Sequence, residues 1–327
     1  MTYLHRIGLG QNKPKIVVVG SSNMDLVVKS PRIPAKGETI LGGDFIMTPG
    51  GKGANQAVAA AKLGAEVYFV AKLGDDIFGR QSLSNFQKVG IHTEYVNQIE
   101  EAPSGVALIT VDDAGDNVIV VAPGANLKLS PDDVRKAQPA IASSGAVTAQ
   151  LEVPLETVEF AARLSNDAGV PFILDPAPAQ KLSDEFLRMV DVLTPNETEA
   201  EILTGIEVTD EKTALVAAKD LLGRGVKAVI LTMGARGYLL ATKDVAEFFP
   251  SVKIDAVDAT AAGDAFTGSL GVGIAQGKTL RDAALFANYV AALSVTKMGA
   301  QSSMPDAEQV ENFMKQKSAQ GVNDEKA

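Results

Sequence analysis

The sequence predicts an α/β fold: a mostly parallel sheet with helices on both faces, plus a second, smaller sheet. Three observations predict it. Short apolar runs such as "KIVVVG", "GAVTAQL", "PFILD" and "KAVILTMG" alternate with segments whose apolar residues recur at helical spacing. Those runs carry apolar residues at successive positions, as strands buried on both faces do. Between about Thr93 and Val121 the alternation stops, and strands follow one another with no helix to cover them.

In order, "KIVVVGSSNMD" is a buried strand feeding a loop. "ILGGDFIMTPGGKG" is an irregular strand and a Gly-rich turn, followed by the Ala-rich helix "ANQAVAAAKLG" with Gly64 at its C-terminal end. "EVYFVAKLG" is a strand and "DDIFGRQSLSNFQKVG" a helix. "TEYVNQI", "GVALITV" and "NVIVV" are the uncovered strands, the last two joined as a hairpin by "DDAGDN". They are grouped with residues near Met24–Val28 and Glu38–Thr48. The βα alternation returns after Ser130 and ends in the edge hairpin "GYLLAT"/"AEFFPS" and three helices. The organisation expected is a flexible segment 1–14, one α/β domain 15–310 with a β lid from roughly 22–48 and 93–122, and a helix end and polar tail 311–327.

Composition narrows the chemistry. The chain has 327 residues, 46% hydrophobic and 21% charged, with a formal net charge of −10. No basic cluster offsets that charge, so neither nucleic acid nor a membrane surface is an expected partner. Cysteine is absent, which excludes disulfides, thiolate nucleophiles and Cys-ligated metals. His5 and His92 are the two histidines. Proton chemistry therefore falls to carboxylates or lysines. The N-terminus has no apolar signal core and no run reaches the roughly 18 apolar residues of a membrane span. The expected location is cytoplasmic.

Two Gly-rich turns could bind a ligand. In "VDATAAGDAF" a capped helix start is one reading, with Asp264 complementing the dipole. The other is an anion-binding concavity made by the N–H groups of Ala261, Ala262 and Gly263, with Asp264 facing a nucleophile and held ionised by the helix end. "TPGGKGANQA" lacks the phosphate-loop spacing, yet Lys52 and Asn55 stand at its mouth. "GSSNMD" places Asn23 and Asp25 on one side of an extended segment, suited to neighbouring hydroxyls. Glu152 in "AQLEVP" and Asn196 in "TPNETEAE" lie at strand ends, where open α/β sheets bind ligands, and Glu197, Glu199 and Glu201 follow Asn196 in what reads as an acid-rich N-terminal helix turn.

Taken in order, "GSSNMD", "GGKGANQA", "AQLE", "TPNETEAE", "LTMGARG", "TAAGDAF" and "VTKMGAQSSMP" resemble the ribokinase family, the phosphofructokinase-B type of carbohydrate kinases. The resemblance runs from about Lys15 to Pro305. It implies a three-layer α/β/α ribokinase-like fold with a small β-sheet lid that also joins two subunits, hence a homodimer. It implies ATP-dependent phosphorylation of the D-ribose 5-hydroxyl, with a divalent cation such as Mg²⁺ and with K⁺ as cofactors. By matched position, Asn23, Asp25, Gly51, Lys52, Asn55 and Glu152 would hold the sugar. Asp264 would be the base, and the amides from Ala261 to Gly263 would stabilise the transferring phosphoryl. Asn196, Thr232, Gly234, Gly237, Gly263 and Asn288 would surround ATP, with Glu199 organising Mg²⁺ through water. Asp258, Thr260, Ser294, Lys297, Gly299 and Ser303 would surround the monovalent cation, Lys297 through its backbone only.

The chain departs from the family's usual pattern at Ala259, Ala265, Ser269 and Asp175. Alternatives are a kinase for another pentose, a ketohexose or a nucleoside, and a non-catalytic sugar- or nucleotide-sensing protein. An NAD enzyme is disfavoured because no "GxGxxG" follows the first strand.

Overall fold

The computed structural model describes residues 13–324. His5, most of the 1–14 segment and the last three residues of the tail lie outside the described residues. Thirteen strands form two sheets. The larger has the order β13-β12-β11-β10-β9-β8-β1-β4-β5 and the smaller the order β3-β2-β6-β7.

The large sheet is built from β1 (Lys15–Val19), β4 (Glu66–Gly74), β5 (Val96–Ile99), β8 (Ala146–Ala149), β9 (Phe172–Leu174), β10 (Val192–Leu193), β11 (Ala228–Thr232), β12 (Gly237–Thr242) and β13 (Ala246–Pro250). All pairs are parallel except β11–β12 and β12–β13, the hairpin expected at the edge. Strand alternation divides the core. Val17 and Val19 face one cluster with Val147, Leu174, Val158 and Ala217; Ile16 and Val18 face the other with Ala57, Val272 and Phe286.

The first face carries α3 (Pro131–Lys136), α4 (Gln138–Ala142), α5 (Leu155–Asp167), α6 (Asp184–Leu187), α7 (Glu197–Thr204) and α8 (Glu211–Gly223). The second carries α1 (Lys52–Lys62), α2 (Ile77–Lys88), α9 (Ala262–Ala275), α10 (Leu280–Ser294) and α11 (Ala307–Asp324). The result is the three-layer α/β/α arrangement. Among the described residues no helix is long and apolar enough to cross a membrane.

The small sheet contains β2 (Asn23–Lys29), β3 (Phe45–Gly50), β6 (Gly105–Val111) and β7 (Asn117–Ala122). β2 pairs antiparallel with β3 and parallel with β6, and β6–β7 is the expected hairpin. Two boundaries differ from the sequence reading. The sequence pattern groups "TEYVNQI" with the lid, but its strand β5 pairs parallel with β4 and extends the large sheet. An isolated apolar strand carries no signal of which sheet edge it joins. The segment from Glu38 to Asp44 is irregular, and β3 starts only at Phe45.

Strand order reverses at β1. The chain builds β1, β4 and β5 to one side and β8 to β11 to the other, so a switch point opens between β1 and β8. Helix α9 runs beneath this point, and its glycines let it approach closely. A Cβ on Gly268 would stand 2.6 Å from the Gln56 carbonyl oxygen of α1. We expect Gly268→Ala to lower stability by roughly 1–3 kcal/mol, because overpacking against backbone outweighs the roughly 1 kcal/mol of helix propensity gained. A higher denaturant midpoint would contradict this.

Candidate active site

The N-terminus of α1 supplies the first half of the site. Gly51 precedes it with φ 89°, a left-handed conformation that suits glycine. A Cβ on Gly53 would meet the Ser21 amide nitrogen at 2.5 Å, so α1 can seat against the loop after β1 only because Gly53 has no side chain. That seating places Lys52 and Asn55 at the switch point. The Lys52 backbone N–H donates to Glu152 Oε2 at 3.0 Å, and the Ser21 hydroxyl donates to the same oxygen at 2.5 Å. Glu152 is thereby fixed at the end of β8.

Helix α9 brings the second half. Asn55 Nδ2 donates to Asp264 Oδ2 at 2.8 Å, although the two residues are 209 apart in sequence. Asp264 is buried, and its Oδ1 accepts nothing among the described residues. A buried carboxylate oxygen without a partner is costly unless a ligand donates to it. Thr260 does not cap α9. The cap is Ala261, at φ 60°, and it makes no side-chain cap bond. It is the single non-glycine residue at positive φ among the described residues. Such backbone costs about 1–2 kcal/mol. The Ala262 N–H closes a turn onto the Ala259 carbonyl at 3.2 Å. The Ala261, Gly263 and Asp264 amides have no acceptor among the described residues. A Cβ on Gly263 would meet nothing within 4 Å, so the space before these amides is open.

A cavity of about 180 Å³ lies at this point, lined by Lys52, Asp175, Asn196, Glu199, Thr232, Ala261, Ala262, Gly263 and Asp264. A larger one of about 980 Å³ adjoins it, sharing Asn196, Thr232, Ala262 and Gly263 and adding Gly234, Gly237 and Asn288. Asn196 and Glu199 form a capping box at α7. Glu199 accepts from the Asn196 N–H at 2.8 Å, and Asn196 accepts from the Glu199 N–H at 2.9 Å. Asn23 and Asp25 line neither cavity; they stand on the lid strand β2. Asp258 joins two loops, accepting from the Thr260 N–H at 2.9 Å and the Gly299 N–H at 2.8 Å. Lys297 N–H donates to the Ser294 carbonyl at 3.3 Å, and the Ser303 hydroxyl donates to Ala300. His92 stacks on Tyr68, with ring centroids 4.3 Å apart, away from the site.

Electrostatics are dominated by carboxylates around one ammonium. Burial alone would lower the Lys52 pKa, but Asp175, Asp264, Glu152 and Glu199 outweigh it and the net shift is upward. Burial raises Asp264 and Asp175, with Lys52 opposing in both. The helix end thus does not hold Asp264 below the ordinary carboxylate range. Burial, with help from Glu152 and Asp264, pushes Asp25 up to about 6. At Asp258 burial is outweighed by the Thr260 hydroxyl together with the Gly299 and Thr260 amides, and the shift is downward.

Sequence reasoning missed three polar residues that organise the site. Ser21 holds Glu152, as above. Gln56 Nε2 donates to Asp175 Oδ2 at 3.0 Å and its Oε1 accepts from Gln150 at 2.6 Å. Asn126 binds the base of β2. Gln56 lies four positions after Lys52, on the same helix face, which was the available signal. Asn126 had none beyond a polar residue after a strand.

The pfkB family carbohydrate kinase profile matches residues 13–307. This chain belongs to the pfkB carbohydrate kinase family. It is 43% identical over 299 residues to a ribokinase of Haemophilus influenzae, covering 91% of this chain and 98% of that one. It is 40% identical over 300 residues to a deoxyribokinase of Salmonella typhi, covering 91% and 98%. A structure of Arabidopsis thaliana ribokinase complexed with ribose and ATP superposes with a TM-score of 0.86 at 34% identity, covering 93% of this chain and 99% of that one. As a pfkB carbohydrate kinase, the protein is an enzyme that transfers phosphate to a sugar hydroxyl.

The raised Asp25 carboxyl gives a stability test. Its folded pKa exceeds its unfolded value, so ionising it opposes folding, and stability falls as pH rises from about 4 through about 6. In the ligand-free pfkB kinase, Asp25→Asn should raise the unfolding free energy at pH 7.5, by at most roughly 2–3 kcal/mol. It should change little at pH 4. An equal effect at both pH values, read by denaturant titration, would refute the assignment.

Proposed function

We propose that the protein phosphorylates the 5-hydroxyl of D-ribose with ATP. The observation that carries this reading is the Asn55–Asp264 contact at 2.8 Å, made where the open amides of α9 face the cavity shared by Lys52 and Glu199. A phosphoryl group at those amides and a hydroxyl at the unpartnered Asp264 Oδ1 would be neighbours. Phosphoryl transfer needs little more than positioning and charge stabilisation. The high overall similarity to ribokinases supports the same substrate class.

In this reading Asn23, Asp25, Gly51, Lys52, Asn55 and Glu152 bind the sugar. Asp264 takes the proton from the attacking hydroxyl. Lys52 and the amides of Ala261 and Gly263 stabilise the transferring phosphoryl; the Ala262 amide joins them once its turn bond to Ala259 opens. Asn196, Thr232, Gly234, Gly237, Gly263 and Asn288 hold the nucleotide in the larger cavity. Mg²⁺ would neutralise phosphate charge, with Glu199 as the carboxylate beside it. This suits a cation that keeps its waters and takes one or two carboxylates. Asp258 clasps the loop carrying Thr260 to the one carrying Gly299; with Ser294, Lys297 and Ser303 these are the residues that would hold K⁺, several of them through backbone carbonyls.

The lid also supports a homodimer. Phe45, Ile46, Met47, Leu108, Val118, Ile119, Val120 and Val121 are exposed on it, an apolar surface that a monomer seldom leaves in water. Light scattering should give a dimer, and Val120→Arg should yield monomer. A monomeric wild-type protein would overturn this part. A cytoplasmic location fits an enzyme that consumes ATP.

The substrate test is ADP release against a panel of pentoses, hexoses and nucleosides, with and without K⁺. D-Ribose should be turned over fastest. The similarity to a deoxyribokinase favours 2-deoxy-D-ribose as the second reading, which a higher kcat/KM on that sugar would establish. Asp264→Asn should lower kcat by about 10² to 10⁴ while leaving sugar binding in place. Gly263→Ala should keep the thermal midpoint, since its Cβ meets open space, yet lower kcat at least about tenfold by crowding the phosphate. Near-wild-type turnover in either variant would remove that residue from its role.

A further inference from the structure

Asn126 lies directly after β7, in the turn Gly124–Lys128 where the chain leaves the lid. It is 1% exposed. Its Oδ1 accepts from the Ser22 N–H at 2.9 Å, and its Nδ2 donates to the Ser22 carbonyl at 3.2 Å. Backbone groups cannot exchange donor for acceptor, so these two bonds fix which end of the Asn126 amide is which. The same Nδ2 also donates to Asn23 Oδ1 at 2.7 Å. The Asn23 amide is therefore fixed in turn: its oxygen faces Asn126 and its NH₂ faces away. Among the described residues Asn23 Nδ2 has no partner. Gly105, paired with Asn23 in the sheet, leaves room for the contact. A Cβ there would stand 2.2 Å from Asn23 Oδ1 and 2.3 Å from Asn126 Nδ2.

The orientation matters because of what surrounds it. Asp25, Glu152 and Asp264 are carboxylates and accept hydrogen bonds when ionised. A sugar hydroxyl offers one proton and two lone pairs. The carboxylates can take the protons, but the lone pairs need N–H donors, and a flipped Asn23 would add one more oxygen to a site already rich in them. We propose that Asn126 is a positioning residue for sugar recognition: it holds Asn23 so that Asn23 presents donors, not its carbonyl, to the hydroxyls of the substrate. This rests on the reading of Asn23 as a sugar-binding residue.

Steady-state kinetics with the full-length enzyme test it. Asn126→Ala frees the Asn23 amide to turn. It should raise KM for D-ribose at least about tenfold, keep KM for ATP, and leave kcat at saturating sugar within about threefold. In an Asn23→Ala background the same change should move the sugar KM by less than about twofold, because Asn126 then has nothing to orient. An equal rise in both backgrounds, or a matching rise in KM for ATP, would overturn the proposal in favour of a general role at the base of the lid. Asn23→Asp leaves Asn126 in place and replaces the outward NH₂ by an oxygen. It should reproduce the rise in sugar KM, and it decides the matter even if Asn126→Ala does not fold. A wild-type sugar KM in Asn23→Asp would overturn the proposal. Absence of sugar turnover in the wild-type control would instead overturn the proposed function itself, and is read before either variant.

Discussion

The Asn55–Asp264 hydrogen bond is the contact on which the site depends. It ties the N-terminal turn of α1 to that of α9, two helices whose placement depends on glycines at close backbone approaches. Gly53 lets α1 settle on the loop after β1, and Gly268 lets α9 settle on α1. Neither residue touches a ligand. Their absent side chains set the distance between the positions proposed for the acceptor sugar and the donor phosphate. A misplacement of about 1 Å can cost two orders of magnitude in rate.

The charge arrangement follows from the same packing. Four carboxylates surround one ammonium, and burial raises the pKa of Asp175, Asp264 and Glu199 among them. Without ligands this is an unfavourable assembly, and Asp264 keeps an oxygen with no donor. Ala261 adds backbone in the left-handed region. Such local costs gather where a protein must hold groups ready for something it has not yet bound. The rest of the fold bears them: a nine-stranded sheet whose central strands are buried on both faces.

The fold was legible because its signals are local. β-Branched runs, helical spacing and the interval without helices gave the two sheets and three layers. Of the motif residues, Lys52, Asn196, Glu199, Thr232 and Ala261 to Asp264 line the smaller cavity and Gly234, Gly237 and Asn288 the larger, whereas Asn23, Asp25, Asn55, Glu152 and Asp258 line neither. What escaped the sequence depends on contacts across long separations. The edge that β5 joins is set by its pairing with β4, and nothing in "VNQI" encodes it. Asn126 and Asn23 are 103 residues apart, and Gln56 and Asp175 are 119 apart. The Asp264 pKa was misjudged for a related reason. The helix end was visible in the sequence, but the burial that outweighs it was not.

Three residues separate the end of β1 from the start of the lid strand β2, so floor and lid are one continuous segment bent at Gly20–Ser22. A lever moves least beside its pivot. Asn23 and Asp25 sit beside that pivot, whereas Lys29 lies about 20 Å along the strand at roughly 3.3 Å per residue. Any swing of the lid would therefore leave the residues proposed to face the sugar nearly still and be spent at the apolar outer end. In that reading, grip on the substrate and travel of the cover belong to opposite ends of a single strand, so a second body held at the far end could set the swing without disturbing the grip.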